Sequence, residues 1–360
     1  MNVRKFPFVW TLGLALLLSL SGCNKSSDSA DNKGGTAPSG TASGGASKKI
    51  KVGIVFDSGG IGDKSFNDSA NAGLQKAINE LGIEAKPIQS KSEADYATNI
   101  QALADQDCDL VIAIGINMQA AMQKVAPGAP ETKFAIVDAV VDAPNVRSLL
   151  FSEEQGSFLA GYLAGKISKT HTIGFVGGMK LDLIEKFRCG YEAGAKTADP
   201  ATVALPAKYT GDWNNVDVAK ASAQVLFGGG ADVVYHAAGR AGLGVLDAAK
   251  ESGKYGIGVD SDQDDVAPGR VLTSMIKHVD VAVYQTIKDA IDDKFSAGQV
   301  EYDLKAGGVD ISPMNHTKEL MTPEIKSELD KLRAQIIDGS LKVPAKQDEL
   351  DAYLKTIGSK

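Results

Sequence analysis

The chain has 360 residues and a net charge of −7, with acidic and basic side chains interspersed along its length. No stretch concentrates Lys and Arg as binding to a phosphate backbone requires, so nucleic acid is excluded as a partner. Three cysteines in the whole chain exclude the disulfide framework of a small secreted fold.

At the N-terminus Arg4 and Lys5 precede an almost wholly apolar run over residues 8–20. The run has the length of a signal-peptide core and is too short to span a bilayer. It leads into Leu20-Ser21-Gly22-Cys23, small residues followed by a cysteine, which resembles the lipobox of bacterial lipoproteins. That resemblance implies a signal peptide over 1–22 and a lipid on Cys23, which becomes the first residue of the mature chain. Residues 23–48 hold the lipid-bearing cysteine and then Ser, Gly, Asp, Asn, Lys, Thr and Ala without a large apolar residue. Such a segment cannot bury enough surface to offset its ordering entropy and reads as a flexible tether. Later segments lack the apolar length of a transmembrane helix. Of the other cysteines, Cys108 precedes a strand and Cys189 lies in a helix. Both are expected free and buried, the alternative being a disulfide.

From residue 49 on, apolar runs of strand length alternate with amphipathic stretches of helical period. Strands are predicted at 50–56, 110–114, 134–137, 147–151, 172–176, 203–209, 233–236, 257–259 and 271–276. Helices are predicted at 67–81, 95–106, 118–125, 154–167, 181–198, 216–227, 242–252, 279–295 and 323–338. This βα repetition gives the α/β class with parallel sheets. The strand–loop–helix scheme restarts near Thr172, which predicts two doubly wound lobes rather than one sheet. The expected division puts residues 49–152 and 278–310 in lobe 1 and residues 153–277 and 311–360 in lobe 2. The helix over 279–295 would cross back to lobe 1 and the tail would return to lobe 2. Ligands of such folds bind at the carboxyl ends of the strands, here in the cleft between the lobes.

The residues that follow each strand are therefore the site candidates. After the first strand comes Asp57-Ser58-Gly59-Gly60-Ile61-Gly62-Asp63-Lys64-Ser65-Phe66-Asn67, a glycine loop that permits close backbone approach to a ligand. Phe66 is either a stacking ring or a hydrophobic staple for the helix. Asn67 is either a ligand contact or the helix N-cap. Asp138 ends the third strand. Trp213 sits in a polar loop and is one of only two tryptophans, the other being Trp10. Gly239 belongs to a glycine-rich helix entry that offers backbone N–H groups, Asp260 opens an acidic turn, and Lys277 stands at an expected crossing between lobes. Aromatics, carboxylates, one Lys and glycine backbone suit a neutral ligand with an aromatic face and several hydroxyls.

Other chemistry finds no support. Gly62-Asp63-Lys64-Ser65 fails as a P-loop, because Asp63 stands where Gly must precede Lys. No early strand leads into a dinucleotide fingerprint. Asp260, Asp262, Asp264 and Asp265 lack the spacing and closing Glu of a calcium loop. The four histidines show no metal spacing, and no nucleophile elbow is present. No cofactor and no catalytic group is expected.

Several blocks in order resemble the basic membrane protein family of bacterial lipoproteins: Asp63-Lys64-Ser65-Phe66-Asn67, Phe158-Leu159-Ala160-Gly161-Tyr162-Leu163-Ala164, Ile173-Gly174-Phe175-Val176-Gly177-Gly178-Met179, Ala237-Ala238-Gly239, Gly258-Val259-Asp260-Ser261-Asp262-Gln263 and Thr273-Ser274-Met275-Ile276-Lys277. The resemblance implies a type I periplasmic-binding-protein fold, closing on a purine nucleoside and delivering it to the permease and ATPase subunits of an ABC importer. It implies Phe66 on one side of the base, with Trp213 where the family commonly has Phe. It further implies Asn67 and Asp138 at the base edge, Gly239, Asp260 and Lys277 on the ribose hydroxyls, and Asp57 in either role. Arg240 departs from the small or neutral residues common at its place. The expectation is a monomer, held to the membrane by its lipid and facing away from the cytoplasm. The rivals are the same fold binding a sugar or another small metabolite, a sensory or adhesive lipoprotein, and an α/β enzyme. Dependence of binding on both aromatics would separate a nucleoside from a sugar.

Overall fold

The computed structural model describes residues 49–357; the signal segment, Cys23 and the tether lie outside them. Residues 49–357 belong to one compact unit.

The chain opens with β1 (Lys51–Phe56), buried at every position after the first, as a central parallel strand should be. α1 (Phe66–Leu81), β2 (Glu84–Gln89), α2 (Tyr96–Ala104), β3 (Leu110–Ile114), α3 (Gln119–Val125), β4 (Lys133–Val137) and β5 (Val146–Phe151) follow. The second series is α4 (Glu153–Ile167), β6 (Thr172–Gly177), α5 (Asp182–Ala198), β7 (Val203–Ala204), β8 (Lys208–Tyr209), α6 (Val216–Gly228), β9 (Val233–Ala237), α7 (Leu243–Ser252), β10 (Tyr255–Asp260) and β11 (Val271–Lys277). The chain ends with α8 (Val279–Ile291), β12 (Gly298–Tyr302), β13 (Val309–Ile311), α9 (Pro323–Ile337) and α10 (Gln347–Ile357).

These strands form two sheets, ordered β12-β5-β4-β3-β1-β2 and β13-β11-β10-β9-β6-β7, with β8 also on β6. The α/β architecture of two doubly wound lobes expected from the sequence is thus present. Pairing is parallel throughout except for β13, which runs antiparallel to β11. The chain passes between lobes at Ser152, at His278 and between Tyr302 and Val309, and the Ser152 N–H donates to Tyr302 O at 3.2 Å where two of these passages meet.

The strands missed by sequence lie at sheet edges. β2 reads Glu-Ala-Lys-Pro-Ile-Gln and carries Pro87, tolerable only where one side of the strand needs no ladder bond. β12 is polar and mostly exposed. The run expected at 203–209 breaks into two short strands around Pro206. α10 was also missed; Arg188 Nη2 ties it to α5 by donating to Gln347 Oε1 at 2.6 Å.

Lobe 2 is built on an unusually close helix pair. A Cβ added to Gly161 would lie 2.0 Å from Tyr191 O, and one added to Gly194 2.0 Å from Phe158 O. With Gly165 and Gly190 also in backbone contact, α4 and α5 meet main chain to main chain, which only residues without side chains allow. Cys108 and Cys189 are free and buried, as expected.

Candidate functional site

The carboxyl ends of both sheets open onto one cavity between the lobes. Asp57 follows β1, Gly115 follows β3 and Asp138 follows β4 on one side; Ala237, Asp260 and Lys277 end β9, β10 and β11 on the other. The space between the walls is about 620 Å³ when the open solvent at its mouth is counted. All eight ligand-site residues expected from the sequence line it: Asp57, Phe66, Asn67, Asp138, Trp213, Gly239, Asp260 and Lys277.

The loop from Asp57 to Asn67 is held from within by Asp63, which is buried. Its carboxylate accepts the N–H groups of Ser65 at 2.9 Å, Asn67 at 2.8 Å and Asp68 at 3.1 Å. The chain's own carboxylate thereby occupies the amino end of α1, the position a phosphate would take in a P-loop. Asn67 is not the N-cap, since α1 begins at Phe66. Its Nδ2 donates to Asp57 Oδ1 at 2.8 Å and Asp63 Oδ2 at 3.0 Å. Both amide hydrogens are therefore engaged, and Asn67 chiefly orients Asp57. Asp57 Oδ1 also accepts Gly59 N–H at 2.8 Å, and burial pushes this carboxyl above its ordinary range. Phe66 is half-buried; it packs on the core and also lines the cavity.

Asp138 and Asp260 both adopt left-handed backbone, with φ of 69° and 64°. Asp tolerates this conformation better than most side chains, and each turn aims a carboxylate into the cavity. Burial pushes Asp260 up to about 7. It accepts Ser65 Oγ–H from the opposite lobe at 2.5 Å. At Asp138 burial again outweighs its partner and raises the carboxyl. That partner is Lys277, whose Nζ lies 2.6 Å from Asp138 Oδ1 and 2.9 Å from Glu153 Oε1. Three rings surround the same ammonium, with centroids 5.4 Å (Phe66), 5.0 Å (Phe151) and 5.6 Å (Phe187) away. The pairs raise Lys277 well above its ordinary value and keep it charged. A buried lysine needs such partners, so its burial implied a second acid. Glu153 is that acid, fully buried and missed in the sequence; the adjacent pair Glu153-Glu154 after an apolar strand was the available signal.

Trp213 packs closely on Gly178, where a Cβ would fall 2.3 Å from the indole. Its carbonyl accepts Ala241 N–H at 2.9 Å, pinning the loop to the helix entry after β9. Gly239 has φ 55°. Three lining residues from α5, Leu183, Ile184 and Phe187, were also missed. They were hidden because the same amphipathic face supplies the core of lobe 2. The cavity offers apolar walls with carboxylates and one ammonium at their edges.

Comparison with known proteins finds a family model, the Bmp model described as "ABC transporter substrate-binding protein PnrA-like", that matches residues 50–347. The chain belongs to the Bmp family of ABC transporter substrate-binding proteins. Proteins of the Bmp family bind a small molecule and work with the components of an ABC transporter; it is a family of binding proteins, not of enzymes. A Lactococcus lactis relative named ABC transporter nucleoside-binding protein BmpA is 37% identical over 94% of this chain and 98% of its own. Basic membrane protein A1 of Borrelia garinii is 34% identical over 85% of this chain and 91% of its own. Among solved structures, an ABC transporter solute-binding protein of Aeropyrum pernix K1 superposes with a TM-score of 0.77 at 28% identity, covering 86% of this chain and 98% of that one. The type I periplasmic-binding fold of this Bmp chain matches those neighbours. No helix among the described residues is long and apolar enough to cross a membrane.

Proposed function

We propose that this Bmp-family chain is a lipoprotein that captures a purine nucleoside outside the cytoplasm and hands it to an ABC importer. The observation that carries the reading is the convergence of two aromatic rings, Phe66 from lobe 1 and Trp213 from lobe 2, on one cavity edged by carboxylates. Stacking between two rings favours a planar base, at about 1–3 kcal/mol for each. Asp57 and Asp138 supply acceptors for ring N–H groups, while Asp260, Lys277 and Gly239 supply partners for ribose hydroxyls. Phosphorylated ligands are disfavoured by four lining aspartates against one lysine and one arginine. The name of the Lactococcus relative supports the same ligand class. Cys23 carries the lipid in this reading, the chain acts as a monomer, and transport follows from closure of the two lobes on one ligand.

The test is calorimetric titration of the chain from residue 48 on, unfolded and refolded to remove bound ligand, with adenosine, guanosine, inosine, cytidine, uridine and ribose. Micromolar or tighter binding of purine nucleosides with ribose silent is the expected result. Ribose binding with the nucleosides silent would turn the reading to a sugar receptor. Metabolic labelling with a fatty acid, lost in Cys23→Ser, tests the anchor.

A further inference from the structure

Arg240 lines the mouth of the cavity, yet its hydrogen bonds run past the cavity to the other lobe. Nε donates to Gly59 O at 3.0 Å and Nη2 to Ile61 O at 3.3 Å. From the end of neighbouring β10, Gln263 Nε2 donates to Lys64 O at 2.9 Å and Ser261 Oγ to Ser65 O at 3.2 Å. Four side-chain donors of lobe 2 thus end on four main-chain carbonyls within one loop of lobe 1.

We propose that Arg240 and Gln263 form a two-point catch that holds the lobes shut, and so set how long a ligand stays rather than which ligand is chosen. Both halves of the catch are prepared before they meet. Gln263 is buried, and its Oε1 accepts Val259 N–H at 3.0 Å and faces His236 Nε2 at 3.0 Å. The main-chain donor fixes the amide orientation, leaving Nε2 with its hydrogens toward lobe 1. Its own N–H is held by Ser274 Oγ at 3.0 Å. On the facing side, the three N–H groups bound by Asp63 keep the loop in one shape. Little side-chain freedom is therefore lost when the halves meet. Arg240 presents two donors in a fixed fork, which lysine cannot reproduce.

Each of these bonds joins residues of different lobes, so separating the loop from lobe 2 breaks it, and the bonds shift the population toward the form in which the lobes meet. A ligand leaves through the open form, so weakening the catch raises the dissociation rate. Association begins with the open form, so it changes only by the rise in that form's share of the ligand-free protein, a smaller factor than the change in dissociation. Neither side chain needs to touch a ligand, so the order of preference among ligands is expected to stay the same.

Two measurements test the catch, of which the kinetic one rests on the nucleoside reading and the distance one does not. Trp213 is the only tryptophan beyond Trp10, so its fluorescence follows binding in the chain from residue 48 on. With adenosine, guanosine and inosine in stopped flow, Arg240→Ala and Gln263→Ala are each expected to raise the dissociation rate about tenfold. The association rate should stay within about threefold of wild type, with the rank order preserved. Arg240→Lys should remain several-fold faster than wild type; a wild-type rate would mean that charge, not the fork, acts, and would overturn the catch. Loss of adenosine 5′-monophosphate binding in Arg240→Ala, with nucleoside kinetics unchanged, would make Arg240 a ligand contact and overturn it as well. Spin labels at the exposed positions Lys91 and Asp217, one in each lobe, report the interlobe distance without ligand. The double variant should shift that distribution to longer distances. If wild type binds no nucleoside, the ligand reading fails and this distribution alone judges the catch; identical distributions would overturn it.

Discussion

The two lobes repeat one plan and use it differently. β4 and β10 hold the same place in their sheets, and each ends in a left-handed Asp. Asp138 meets an ammonium held by Glu153, whereas Asp260 meets a serine hydroxyl from across the cleft. The loop after β1 is stiffened by its own carboxylate and shows its backbone to the other lobe. Lobe 2 answers with side chains, Trp213, Arg240, Ser261 and Gln263. The shared strand order fixes where the groups stand; the neighbours at each strand end decide what they do.

The largest expected effect separates the lobes by packing. Gly194→Leu would drive a side chain into the Phe158 carbonyl, forcing α4 from α5 at a cost of more than about 4 kcal/mol. In lobe 1 the corresponding tight contact, Gly73 on α1 against Asp280 O on α8, is a single position, so Gly73→Leu should cost less. Urea unfolding of both variants checks the order, and equal losses would break the contrast.

Next comes the loop. Asp63→Ala leaves three N–H groups without their acceptor and should cost about 2–3 kcal/mol, with binding weakened about a hundredfold. Its measurement is thermal unfolding beside calorimetry; unchanged affinity would mean that the loop shape is not what the cleft requires.

The two aspartates should respond oppositely. Asp138→Asn removes a partner from a buried ammonium and should destabilise by about 2–3 kcal/mol at pH 8. Asp260→Asn should be neutral or slightly stabilising there, because the carboxyl it replaces is raised to about 7 by burial. The sign follows from linkage. A carboxyl raised in the folded state binds more protons there than in the unfolded chain, so its contribution is present below the unfolded value and is lost as pH rises through about 7. Melting of ligand-free protein between pH 8 and pH 6 should therefore show a gain on acidification that Asp260→Asn reduces.

The smallest effect lies away from the cleft. Glu154 Oε2 is buried without a hydrogen-bond partner, and burial raises this carboxyl to about 7. Glu154→Gln should stabilise by about 1 kcal/mol at pH 8 and by less at pH 6, with nucleoside binding unchanged. A loss of stability at pH 8 would show that its charge is compensated by Lys186.

What could be read from the sequence follows from what each residue must do locally. Buried central strands such as β1 and β3 announce themselves as apolar runs, and a large or charged residue just past such a run, like Asp138 or Trp213, stands out. Edge strands such as β2 and β12 bury one side at most and look like loops. Lys277 was legible as a cleft residue, but its cage of Glu153, Phe151 and Phe187 was not, because those partners come from three elements that only tertiary contact brings together. Leu183 and Phe187 were hidden for the opposite reason: core and cleft make the same demand on α5. Asn67 showed its place but not its hydrogen bonds, since its engagement by Asp57 and Asp63 depends on the path of the loop.

The main-chain target of the four crossing bonds has an evolutionary consequence. Every residue type supplies a carbonyl, so substitutions at Ser58, Ile61 or Lys64 leave the acceptors in place so long as Asp63 keeps the loop's course. Side chains around the mouth other than Arg240 can then drift toward a new ligand while the machinery of closing is inherited intact. A receptor built this way can change its cargo by single steps, each passing through a protein that still shuts.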